Sequence, residues 1–227
     1  MILVLAAALA AAQPPACPDV VTAQAFVCRA TQASKAGDSA AAAGAFEQAA
    51  QQVDSASAEA AKLWAAAGNM WIAAGQPGKA AVDLDKALAD SSLQGGQRGE
   101  ALLDRARAAE AQNDLKTARA KASEAASTIS ADPFLWYFSA ALAIREGDAA
   151  TAKSSIAKAL DLAPADPVIL FEAGHVAEFT GDTVGARDYW NRTVERDPNG
   201  DAGKAAAAAL KLLPAAVTVK SEPNPPR

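Results

Sequence analysis

Aromatic residues make up only 5% of this 227-residue chain, which also has a single histidine and two cysteines. Runs of β-branched residues alternating with polar ones, the mark of strands, are absent from its body. No cluster of Lys and Arg occurs, and 26 acidic against 21 basic residues leave a net charge of −5. Without basic density to neutralise phosphates, the sequence argues against nucleic-acid binding. The lone His175 has no Cys or carboxylate partners at zinc-ligand spacing. No HExxH, GxSxG, GxGxxG or GxxxxGK[ST] segment is present. The expectation is a protein that is not an enzyme, with no catalytic residues, no metal and no cofactor.

What is abundant is alanine, which supplies much of a 51% hydrophobic content. Alanine is the best helix former and the poorest core filler. A chain built from it buries area by letting helices approach closely, with a few large side chains plugging the gaps. The fold class expected is all-α.

Residues 1–12 form an uncharged apolar run ending in Ala10, Ala11 and Ala12. They read as a signal peptide with a small-residue cleavage site, although no Lys or Arg precedes the run. The run is too short to span a bilayer, which takes about 20 apolar residues. A buried N-terminal helix is the competing reading. Export predicts a periplasmic or secreted protein with no integral membrane segment after cleavage. Residues 13–19 form an arm whose Pro14 and Pro15 break any helix. Cys17 and Cys28 are not in CxxC spacing, which excludes thioredoxin-type redox chemistry and haem attachment. In an exported chain a disulfide between them is the natural pairing, with free thiols as the alternative. The two prolines ahead of Cys17 disfavour lipidation there.

Five helix breakers recur, Gly37, Gly75, Asn113, Gly147 and Gly181, spaced by 38, 38, 34 and 34 residues. Asp follows directly at four of them, as Asp38, Asp114, Asp148 and Asp182. A left-handed residue ends one helix and an aspartate caps the next. At Gly75, Pro77 takes the starting role instead. Beyond each breaker a set spaced i, i+4, i+7 falls on one helical face. The sets are Ala42/Phe46/Ala49, Ala80/Leu84/Ala87, Ala118/Ala122/Ala125, Ala152/Ile156/Ala159 and Ala186/Trp190/Thr193. Upstream stripes share the spacing: Trp64/Gly68/Trp71, Leu102/Ala106/Ala109, Trp136/Ala140/Ala143, Leu170/Gly174/Ala177 and a weaker Phe26/Ala30/Ala33.

These residues resemble tetratricopeptide repeats. The family's W-x2-L-G-x2-Y, A-x3-F and P pattern is matched by Trp64, Ala67, Gly68, Trp71, Ala80 and Leu84. It is matched again from Trp136 to Pro164 and from Leu170 to Pro198, while Arg105 falls where leucine is wanted. The resemblance implies a right-handed α-solenoid of about five helix-turn-helix repeats over residues 20–213, closed by a C-terminal capping helix from Lys204 to Leu213. Extra residues between repeats are expected near Ser55–Glu59 and Leu93–Gly99, with Gly95 and Gly96 as a flexible join. Residues 214–227 read as a proline-rich, disordered tail.

The resemblance further implies that the first helix of each repeat lines a concave, partner-binding groove. On the face away from the small-residue stripe lie Ala65, Asn69 and Ile72, then Leu103, Arg107 and Glu110. Phe134, Tyr137, Ile144 and Arg145 follow, then Val168, Phe171, His175, Glu178 and Phe179. The candidate groove residues are Asn69, Arg107, Phe134, Tyr137, Arg145, Phe171, His175 and Phe179. Aromatic anchors beside arginine make binding hot spots. The competing role for Phe134, Phe171 and Phe179 is core filling or contact with the capping helix. Some members of the family clamp a partner's C-terminal carboxylate with Lys, Asn and Arg. Here Ala65, Asp104 and Phe134 occupy slots of that clamp, so an apolar or mixed peptide is the better-fitting ligand. The expected function is a protein-binding adaptor or scaffold of the bacterial cell envelope. A structural component of an outer-membrane or cell-wall assembly is the alternative. Asn191-Arg192-Thr193 fits a glycosylation sequon but falls in an expected helix, which favours coincidence.

Overall fold

A computed structural model describes residues 16–89 and 91–214. The expected signal peptide, residues 13–15 and the tail beyond Pro214 lie outside the described residues. Regular structure within them is entirely helical. In chain order the helices are α1 (Ala23–Lys35), α2 (Ser39–Ala50), α3 (Ala58–Ala73), α4 (Pro77–Ala89), α5 (Gly95–Ala111) and α6 (Leu115–Ala125). They continue as α7 (Pro133–Glu146), α8 (Ala149–Leu162), α9 (Pro167–Phe179), α10 (Thr183–Arg196) and α11 (Asp201–Leu212).

The turns follow from local chemistry. Gly37, Gly75, Gly147 and Gly181 take φ of 79°, 67°, 75° and 81°, and Asn113 takes 61°. Each ends a helix in the left-handed region that favours Gly and, after it, Asn. Asp38, Asp114, Asp148 and Asp182 then accept from the backbone N–H three residues on, satisfying donors that the next helix leaves free. Pro77 opens α4, while Asp132 and Asp166 cap α7 and α9 just ahead of Pro133 and Pro167.

The periodic small residues are where the hairpins close. Ala42, Ala80, Ala118, Ala152 and Ala186 are all fully buried. In the upstream stripe, Gly68 sits against Leu84 and Gly174 against Trp190, each so near that a Cβ would overlap the larger side chain. Apolar clusters follow one another along the stack: Phe26 with Leu63, Trp71 with Leu84, Leu102 with Leu135, Ile156 with Ile169, and Trp190 with Leu213. Each cluster spans two or three consecutive repeats, as the contiguous core of a solenoid does.

Odd-numbered helices touch across repeats, α3 on α5, α7 on α9 and α9 on α11. The even-numbered helices pack on the odd ones and lie farther from one another, so the odd row is the inner, concave side. Three local expectations need correction. Gly95 and Gly96 are not a join but the first turn of α5, and Gly95 enters it at φ 56°. Leu103, expected on the groove face, is buried in one apolar cluster with Leu135 and Phe138 of α7. The capping helix starts earlier than expected, at Asp201. Cys17 and Cys28 are joined by a disulfide with Cα atoms 5.7 Å apart, tying the arm to α1.

Candidate binding groove

Along the inner row the candidate residues fall into a connected line rather than isolated spots. Half-buried Asn69, on α3, donates through Nδ2 to Asp104 Oδ2 on α5 at 2.8 Å. The other oxygen of Asp104 accepts from Arg107 Nη1 at 2.9 Å. Arg107 in turn lies 5.7 Å from the centre of the Phe134 ring, a cation over the negative face of an aromatic. Phe134 and Tyr137 pair as tilted rings 5.2 Å apart on α7. Burial pushes the Tyr137 phenol above its ordinary value, and the charge of Glu172 on α9 adds to this while Arg107 opposes it.

On α9, the Phe171 and His175 rings meet edge to face at 4.4 Å, and His175 meets Trp190 of α10 at 5.6 Å. His175 Nδ1 stands 3.4 Å from Glu172 Oε2. Trp190 Nε1 donates to the Phe171 carbonyl at 3.0 Å, which fixes the indole between the two helices. Phe171 also packs into the cluster of Trp190, Ala206 and Leu213, so its ring serves the capped end of the stack while its edge faces His175. Arg145 bridges repeats instead of facing solvent freely. It pairs with the Glu110 carboxylate and donates to Asn113 Oδ1 at 2.9 Å.

Two hollows open on this face. One, about 210 Å³, lies between α3 and α5 and is lined by Lys62, Asn69, Leu93 and Glu100 among others. The larger, about 400 Å³, lies between α7 and α9 and is lined by Ala141, Ile144, Glu172, His175, Glu178 and Phe179. Phe179 in its lining is 39% exposed, and on the same two helices Phe134 is 40% and Val168 43% exposed. Phe134 and Val168 hold the same place in consecutive repeats, at the second position of α7 and α9.

No protein-family model matches the sequence, and no curated protein matches it. Solved structures do. YrrB, a repeat protein described as having an unusual peptide-binding site, superposes with a TM-score of 0.62 at 18% identity, covering 84% of this chain and 92% of its own. PilW, described as a widely conserved type IV pilus biogenesis factor, gives 0.68 at 18% identity, covering 82% of each chain. A repeat protein of Thermus thermophilus gives 0.65 at 18% identity, covering 84% of this chain and all of its own.

The chain has the tetratricopeptide-repeat fold.

In this tetratricopeptide-repeat solenoid, sequence reasoning missed Glu172 and read Asp104 only as an obstacle to a carboxylate clamp, not as the acceptor that joins Asn69 to Arg107. A signal for them existed. Asn69, Arg107 and His175 each precede their breaker by six residues, and Asp104 and Glu172 precede theirs by nine. The same i, i+3 device therefore appears twice: an acid one turn back holds a cationic or imidazole side chain on the inner face. Asn191 is exposed on α10 and Thr193 fully buried, so the sequon lies inside a packed helix.

Proposed function

We propose that this chain is a non-enzymatic adaptor that holds a peptide or protein along its inner row of helices, in the bacterial cell envelope. The observation that carries the reading is a 400 Å³ hollow on the inner row lined by the exposed Phe179, with a second exposed aromatic, Phe134, at the start of α7, in a chain otherwise sparing of large side chains. Exposed apolar groups gathered around a concavity, rather than scattered, mark interaction sites. The groove of this reading comprises Asn69, Arg107, Phe134, Tyr137, Arg145, Phe171, His175 and Phe179. Export is supported by the apolar run at the N-terminus and by the Cys17–Cys28 disulfide, a bond of oxidising compartments. Peptide binding in YrrB, a protein of the same fold, agrees with the groove reading.

Affinity capture from a periplasmic extract tests it. The Phe134→Ala and Phe179→Ala variants are expected to keep native helicity and lose most of the captured protein. Equal capture by both variants and the unaltered chain would sink the groove. A second reading, a structural part of an outer-membrane or cell-wall assembly, gains support from PilW, a pilus biogenesis factor of the same fold. It predicts co-sedimentation with membranes, although no helix among the described residues is long and apolar enough to cross one.

A further inference from the structure

The acids of the inner face are not equally matched. Asp104 has Arg107, and Glu110 has Arg145. Glu172 and Glu178, in the hollow between α7 and α9, have no Lys or Arg in ion-pair contact among the described residues. Arg145, the arginine of α7, is already taken by Glu110 and Asn113. Glu172 is only 7% exposed, and among the described residues the side chain within hydrogen-bond range of its carboxylate is the His175 ring at 3.4 Å. Ala141, Ile144 and Phe179 supply apolar walls around the two carboxylates. Sequestering a carboxylate among apolar groups without a countercharge is costly. A hollow built this way is complementary to a positive charge on an apolar stem. The described residues bring no three acidic, His or Cys side chains together as metal ligands, too few for a hard divalent cation.

We infer that the α7–α9 hollow is the specificity pocket of the groove and takes a Lys or Arg side chain of the bound peptide. The stem lies against Ile144 and Phe179, as long cationic side chains lie along apolar surface. The charged head reaches Glu172 at the floor and Glu178 at the rim, where charge-assisted hydrogen bonds form. Phe134 and Val168, exposed at the N-terminal ends of α7 and α9, receive an apolar neighbour of that residue. The inference rests on the groove reading above and adds to it the chemistry of the ligand.

The full chain, panned against a random dodecapeptide library, separates the two. Selected peptides are expected to be enriched in Lys or Arg next to an apolar residue. Replacing that basic residue with norleucine should weaken binding about tenfold or more, the worth of a charge-assisted contact. The E178Q and E172Q variants should still select peptides but without the basic preference. E178Q, at an exposed rim position, leaves the packing intact even if E172Q does not. Peptides selected with no basic preference, or a preference that survives E178Q and E172Q, would overturn the specificity pocket and leave the groove standing. Failure to select any peptide above an unrelated helical control would overturn both.

Discussion

The α-carbon of Gly174 lies against the indole of Trp190, with no room for a methyl group between them. Helices α9 and α10 close on each other at this point, and the Trp190 N–H reaches the Phe171 carbonyl across the gap. A β-carbon at 174 would force the largest fully buried side chain of the stack out of its place. Gly174→Ala is therefore expected to destabilise the chain by about 3 kcal/mol despite the better helix propensity of alanine. Gly44 is the control, since nothing lies within 4 Å of a Cβ there. Gly44→Ala should stabilise by up to about 1 kcal/mol. Thermal melts followed by circular dichroism read both, and a gain at position 174 would refute the close contact.

Asp83 gives the stack a pH dependence. It is 2% exposed on α4, accepts from Lys86 Nζ at 2.9 Å, and leaves its second oxygen without a hydrogen-bond partner. Burial pushes its carboxyl up to about 6, with Lys86 opposing and the neighbouring Glu47 adding to the rise. Between about pH 4 and pH 6 the folded chain keeps a proton that the unfolded chain has released, so stability falls as pH rises through this window. Asp83→Asn stays neutral throughout and keeps an acceptor for Lys86. At about pH 7.5 the variant should be more stable by up to about 3 kcal/mol, the worth of a shift of this size. The advantage should vanish near pH 4 in urea titrations. A variant less stable at pH 7.5 would mean that the charged pair with Lys86 outweighs burial.

The Cys17–Cys28 disulfide holds an arm that buries little of itself, for Val20 and Val21 are 51% and 73% exposed. Arg29 Nη2 adds a hydrogen bond to the Val20 carbonyl at 2.8 Å. In a stack where each repeat touches only its neighbours, loosening one end acts locally. Reduction should cost no more than about 2 kcal/mol, at or below the usual range for short loops. It should expose the arm to protease before any residue of α2. Ready thiol labelling of the native, unreduced chain would show that the bond does not form.

Much of the fold was legible because its instructions are local. A left-handed Gly or Asn followed by Asp needs no knowledge of the rest of the chain, and Gly37, Asn113, Gly147 and Gly181 act alike. The fully buried alanines were equally readable, since each repeats at the same distance from a breaker. The groove was harder. Whether a residue beside the stripe faces in or out depends on the large side chains of the next repeat, which bury Leu103 against Leu135 and Phe138 while Phe134 stays 40% exposed. Arg145 looked like a free groove cation because its partner Glu110 stands 35 residues away. The i, i+3 partners of Asp104 and Glu172 stand in the sequence, but the reach of Asp104 to Asn69 and of Glu172 to Tyr137 crosses between helices whose distance the sequence does not state.

The bridge from Asn69 through Asp104 to Arg107 links two repeats and aims a cation at Phe134. Its parts should therefore be energetically coupled. Asp104→Ala removes the acceptor of both neighbours in a half-buried setting and should cost about 1–2 kcal/mol. Asn69→Ala should cost about 1.5 kcal/mol, the net worth of one hydrogen bond to a charged group at its lower end. The double variant should lose about 1 kcal/mol less than the sum, because one bond cannot be lost twice. Additive losses would show that α3 and α5 hold their spacing through apolar packing alone. In that case Arg107 would owe its position over Phe134 to the ring rather than to Asp104. Peptide capture, measured on the Asp104→Ala variant, then decides between the two: a drop as large as that for Phe134→Ala places the acid upstream of the aromatic anchor, and unchanged capture removes it from the groove.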